Sequence, residues 1–157
     1  MRVAALDFGK VRVGAAVSDE LGLLAHPRPC FSAKSLTQVI VQVSAWLQDE
    51  QAERVLVGVP ESLHGGEGAS ARRARRFARL LEGAQPVPVE LVDEALTTHE
   101  AARLLAARGL SVREARSKID SAAAAVMLQD WLDARPKGER ATPVNDEGLP
   151  PPSDEGA

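Results

Sequence analysis

The sequence predicts an α/β domain: a mixed five-stranded sheet with an antiparallel hairpin at its start and parallel strands after it, flanked by helices. Three observations carry this expectation. Val3 to Leu6 and RVGAAVS at 12–18 are apolar runs joined by a connection of about three residues, a hairpin-like spacing. From Ser35 onward, stretches of helical period alternate with short strand-like runs, the pattern of an α/β layer fold. Finally, the strand candidates at 55–59 and 87–92 stop at Pro60 and at the pair Asp93–Glu94, as strands do where loops begin.

Taken in order, Val3 to Leu6 is a buried strand that meets Asp7 and then a turn at Gly9. Arg12 to Ser18 doubles back along it. A third strand covers part of Leu23 to Phe31, and Pro27 and Pro29 push it to a sheet edge because proline cannot donate to a ladder. Leu36, Val39, Ile40, Val43, Trp46 and Leu47 recur at helical spacing behind a capping box, Ser35 with Gln38. Val55 to Val59 is apolar throughout, which marks a central strand buried on both faces. Residues 70–82 return to helical period, with Ala74, Phe77, Ala78 and Leu81 on one side. Val87 to Val92 is a further strand delivering Asp93 and Glu94. Thr97 with Glu100 opens a helix that Gly109 stops, and Ser117 precedes a long Ala-rich helix from Ile119 to about Ala134, placing Asp120 in its first turn.

Composition fixes the domain count and excludes several classes. Residues 1–135 form one domain, and residues 136–157 read as a disordered, proline-rich acidic tail, because five of the ten prolines and no aromatic residue fall there. Two basic and five acidic residues of that tail account for the whole formal charge of −3, so the body is neutral. Cys30 is the only cysteine, which excludes an internal disulfide framework and a multi-cysteine zinc site. No apolar run reaches the ~18 residues of a membrane span, and MRVAALDFG lacks a signal-peptide pattern, so the expected location is the cytoplasm. No phosphate-binding GK[ST] or G-x-G-x-x-G occurs, so nucleotide cofactors are not indicated.

Asp7, Glu94 and Asp120 stand at comparable places: the ends of two strands and the start of a helix. The crevice beyond the carboxyl ends of adjacent strands is where ligands collect in open α/β sheets. Carboxylates gathered there repel one another unless a cation intervenes, and oxygen ligands suit Mg²⁺ or Mn²⁺. Two such ions ~3.5–4 Å apart suit in-line displacement at a phosphodiester. Each acid also has a structural reading of equal weight: Asp7 as a turn former, Glu94 as a surface residue, Asp120 as a helix-start charge.

Four blocks in order resemble one family. ALDFGKVRVGAAVSD, VLVGVPESLHGGEG, VDEALTTHEA and KIDSAAAAVMLQDWL are similar to the conserved stretches of the YqgF/RuvX-like family of Holliday junction resolvases and pre-16S rRNA nucleases, over roughly residues 1–134. The resemblance implies a ribonuclease H-like fold and a metal-dependent phosphodiesterase. Its substrate would be structured nucleic acid, either precursor rRNA or branched DNA, with Asp7, Glu94 and Asp120 as catalytic metal ligands for Mg²⁺ or Mn²⁺ and Asp93 the weaker alternative to Glu94. Ala95 stands where the family usually has arginine, Ser62 where asparagine is common, and His64 where an acid is common. The missing arginine removes a bidentate phosphate donor. It motivates one rival, a nucleic-acid-binding module without turnover. A second rival, a sugar kinase or actin-like ATPase, shares the D-F-G-x-x-R-x-G opening, but about 135 residues supply only one of the two domains that would enclose a nucleotide.

Basic residues supply phosphate contacts in either reading. Arg72 and Arg76 belong to five arginines crowded on one helix, Arg113, Arg116 and Lys118 precede Asp120, and Arg12 follows Asp7 through the hairpin. A two-fold junction would suit a homodimer. Trp46, Phe77 and Trp131 lie in helices and read as packing residues rather than a base-stacking array.

Overall fold

The computed structural model describes residues 1–60, 68–93 and 112–135, with side chains in the last segment from Ser121 onward. Five strands, β1 (Val3–Phe8), β2 (Arg12–Ser18), β3 (Ala25–Ser32), β4 (Arg54–Val59) and β5 (Val89–Asp93), form one sheet in the order β3-β2-β1-β4-β5. β1 pairs antiparallel with β2 and parallel with β4, and β4 pairs parallel with β5. This is the mixed sheet expected from the hairpin and the alternating periods. Helices α1 (Leu36–Asp49) and α2 (Ala69–Ala84) cover one face, and α3 (Val112–Ala134) covers the other.

The alternation of side chains along β1 explains the two layers. Ala4 and Leu6 join Val13, Ala15, Val55 and Val57 beneath α1 and α2, where Val39, Val43, Leu47, Phe77 and Leu81 are buried. Val3 and Ala5 join Ala16 and Leu56 beneath α3, against Ala124, Met127, Leu128 and Leu132. Ala5, Ala16 and Ala124 stand on this second face between the larger Leu56, Met127, Leu128 and Leu132.

Local chemistry sets the element ends. Gly9 turns the hairpin by donating to the Arg12 carbonyl at 2.9 Å, and a Cβ there would meet that same oxygen at 2.9 Å. Ser35 Oγ accepts from the Gln38 amide at 3.2 Å, the cap expected of that helix. β3 is an edge strand, in keeping with Pro27 and Pro29. It starts at Ala25 rather than Leu23, because Asp19 holds a turn by accepting from the Leu23 amide at 2.8 Å and donating its own amide to the Leu24 carbonyl at 3.1 Å.

Likewise β5 starts two residues later than the apolar run: the Gln85 amide side chain donates to the Val87 carbonyl and accepts from the Val87 amide, taking both groups away from any ladder. The last helix departs most from expectation. It begins at Val112, not near Ile119, so Asp120 lies in its third turn and not its first. No proline or glycine interrupts residues 112–134, and good helix formers allow a nucleated helix to propagate through Ser117. The predicted helix after Thr97 and the tail 136–157 lie outside the described residues.

Candidate functional site

Asp7 is the penultimate residue of the central strand and half-buried. Its partner on β2 is Gly14 and its partner on β4 is Gly58, so the carboxylate's two lateral neighbours carry no side chain. Cross-strand partners point to the same face at Cβ separations of ~4.5–5.5 Å, which two ordinary residues would fill. The row continues through Val92, the partner of Gly58 on β5. Asp7 shares its face with Val3 and Ala5, the face covered by α3. Arg12 lies on that face too, two residues before Gly14 on β2.

The chain segment that carries Asp120 is tied to the same region by its next residue. Ser121 is buried, and its Oγ donates to the Arg28 carbonyl at 2.6 Å and accepts from the Ala15 amide at 3.4 Å. Ala15 and Arg28 are partners beside the irregularity in the β2–β3 ladder, where the register shifts between Val13 and Ala15. The serine hydroxyl thus bridges a backbone amide and a backbone carbonyl beside the bulge, and it anchors α3 one residue from Gly14, the neighbour of Asp7.

Among the acids expected to act together, Asp7 has a described side chain. Glu94 lies outside the described residues, and of Asp120 the helical backbone is described. Among the described residues no group of three His, Cys, Asp or Glu side chains is placed to hold a metal ion. Asp93 pairs with Val59, which packs against Ala71 and Ala74 of α2. The alternate to Glu94 therefore lies on the sheet face opposite Asp7.

The helix-start reading of Asp120 also falls, because two turns of helix precede it. Arg113, Arg116 and Lys118 belong to those turns and not to a loop. His26 is exposed on β3, while Ser62, His64 and Ala95 lie outside the described residues. Phe77 is fully buried and stacks on Phe8 at 4.7 Å, and Trp46 meets Phe31 edge-on at 5.7 Å, so both are packing residues as expected. Gly14, Gly58 and Ser121 were not among the candidates. A glycine inside each of two buried strands was the available signal, since such glycines often mark a close approach of ligand or backbone.

Comparison with known proteins agrees with this geometry. The family described as "RuvX: Holliday junction resolvase" matches residues 1–134. A protein of Anaeromyxobacter dehalogenans (strain 2CP-1) is 44% identical over 135 residues, covering 86% of this chain and 98% of its own length. One from Syntrophus aciditrophicus is 38% identical over 134 residues, covering 85% and 89%. Both bear the name "Putative pre-16S rRNA nuclease". Among solved structures, Thermus thermophilus RuvC in complex with a Holliday junction substrate is similar in fold, with a TM-score of 0.54, 19% identity and coverage of 86% of this chain and 95% of its own. The five-stranded order, the α3-covered face that holds Asp7 and the match across residues 1–134 have one consequence: this chain belongs to the RuvX family and has the ribonuclease H-like fold of RuvC.

Proposed function

We propose that the chain is a metal-dependent nuclease that hydrolyses phosphodiester bonds in structured nucleic acid, with the 5′ end of precursor 16S rRNA as its substrate. One observation carries the reading. Asp7 stands at the carboxyl end of the central strand between two glycines, on the face crossed by the helix that bears Asp120. Glycine at both cross-strand partner positions fits a carboxylate that must share its surroundings with a cation and a phosphate, whereas a turn-forming Asp needs no such neighbours. The relatives' name supports the RNA substrate.

Asp7, Glu94 and Asp120 would hold Mg²⁺ or Mn²⁺, hard cations suited to carboxylate oxygens. When bound, the cation supplies activation of water and neutralisation of charge at the phosphate. The chain's own contribution is placement. The ladders on both sides of β1 fix Asp7, and Ser121 fixes the helix that carries Asp120. Arg12, Arg113, Arg116 and Lys118 would neutralise flanking phosphates, which positions the substrate without reading its sequence. The protein acts in the cytoplasm. Among the described residues no helix is long and apolar enough to cross a membrane.

A second reading, resolution of branched DNA by a homodimer, is favoured by the description of the matching family. One cleavage panel decides between them: precursor rRNA, four-way junction DNA and duplex DNA, each with Mg²⁺ or Mn²⁺, for wild type and Asp7→Asn. Metal-dependent cleavage of the rRNA precursor at its 5′ end, lost in Asp7→Asn, is the expected result. Preferential junction cleavage would replace the substrate, and binding without cleavage under either metal would reduce the protein to a binding module.

A further inference from the structure

The arginines of α2 line a groove on the sheet face opposite Asp7. Arg54, Arg72, Arg75, Arg76, Arg79 and Leu91 line a cleft of about 930 Å³ between α2 and the edge strand β5. Arg72, Arg75, Arg76 and Arg79, at spacings of three, one and three, lie along the exposed side of α2, opposite the buried Ala71, Ala74, Phe77, Ala78 and Leu81. At 1.5 Å per residue, the row from Arg72 to Arg79 extends ~10.5 Å. Four arginines of α2 line it with Glu82, whereas Arg54 and Glu90, at its rim, pair with each other and meet Trp131 of α3. Glu90 is already engaged, by Arg54 Nη1 at 3.1 Å and Trp131 Nε1 at 2.6 Å. Among the described residues Arg72, Arg76 and Arg79 form no ion pair. Leu91, 42% exposed, also lines the cleft, on the strand that is outermost in the sheet among the described residues.

We propose that this groove is a second nucleic-acid contact, a phosphate-backbone track that grips the part of the substrate flanking the cleavage point. The proposal rests on the nuclease reading above. Its direction follows from the fold. Val59, Ala71, Ala74 and Phe8 pack together, so α2 begins at the end of the sheet where Asp7 lies. Arg72 is thus nearest the catalytic edge, and the row leads away from it down the flank of the domain. Repeated guanidinium groups, each able to hold a phosphate bidentately, suit a polyanion of regular charge spacing better than a single small anion. The exposed apolar Leu91 offers a surface for sugar or base between phosphates. A site placed this way binds long substrates and contributes nothing to short ones.

The test uses full-length protein carrying Asp7→Asn, so that binding is measured without cleavage. The probes are a long transcript spanning the 5′ leader of 16S rRNA and a short duplex covering only the cleavage point. Arg76→Glu/Arg79→Glu, both at exposed positions, is expected to raise Kd for the long transcript at least tenfold. Its salt dependence should flatten by about 1.4–1.8 in slope, for two phosphate contacts at ~0.7–0.9 each. Binding of the short duplex should change less than twofold, and Lys34→Glu, an exposed charge change away from the groove, should leave the slope as it is. Arg76→Gln/Arg79→Gln repeats the measurement with a smaller perturbation if the first variant does not fold. Equal losses on both probes would overturn the proposal by assigning these arginines to the cleavage crevice. Unchanged binding of the long transcript would overturn it too, leaving an acidic protein as the occupant of the groove. Failure of the nuclease reading itself shows separately, as absence of metal-dependent cleavage by the protein with Asp7 intact.

Discussion

The Ser121 hydroxyl donates to the Arg28 carbonyl at 2.6 Å, joining two residues 93 positions apart through the β2–β3 irregularity. Because Ser121 also accepts from the Ala15 amide, one side chain completes two backbone groups and sets where α3 crosses the sheet. Ser121→Ala would remove both bonds, at a cost of about 1–3 kcal/mol for the pair. A fall in Tm of several degrees is expected from thermal melting. Turnover should fall as well, because the helix carrying Asp120 loses its anchor. A Tm within about 1 °C of wild type would show that the contact contributes little.

Gly14 and Gly58 make a separable prediction. A valine at either position suits a strand by propensity but fills the space beside Asp7. Gly58→Val should therefore reduce cleavage at least tenfold, with circular dichroism showing a folded protein. Retention of full activity in a folded Gly58→Val protein would mean that the flanking space serves no ligand.

Asp120→Asn should reduce turnover by orders of magnitude while nucleic-acid binding survives, since losing one ligand disables the metal's action on the phosphate. Without metal its stability should stay level or rise slightly, because the change relieves repulsion between clustered carboxylates. Position in the third turn of α3 removes the helix-dipole reason for any loss. A destabilised but fully active Asp120→Asn protein would sink the assignment.

Truncation separates the tail from the end of α3. Arg135 stacks over Trp131 at 4.7 Å, and Trp131 Nε1 donates to Glu90 of β5. Deleting residues 136–157 should leave Tm within a few degrees and cleavage unchanged, since that segment is proline-rich and poor in apolar residues. Deleting Arg135 as well should cost a further ~0.5–1 kcal/mol by loss of the cation–π contact, measurable by denaturant titration. Equal stability of the two truncations would assign no role to that stack.

The sequence by itself determined the elements whose signals are local. Apolar runs gave the strands, helical period gave α1 and α2, the three-residue connection gave the hairpin, and Pro27 and Pro29 put β3 at an edge, as the sheet order shows. Four ordered motifs also carried the family. Tertiary structure decided what depends on pairing between distant segments. Only the order β3-β2-β1-β4-β5 makes Gly14 and Gly58 the neighbours of Asp7, and only the β4–β5 register puts Asp93 on the opposite face. The start of α3 at Val112 likewise escaped local reading, since a cap-like Ser117 cannot halt a helix that the chain before it already propagates. Register and strand order follow from burying both faces of one sheet at once, a condition on the whole chain that no single window of sequence contains.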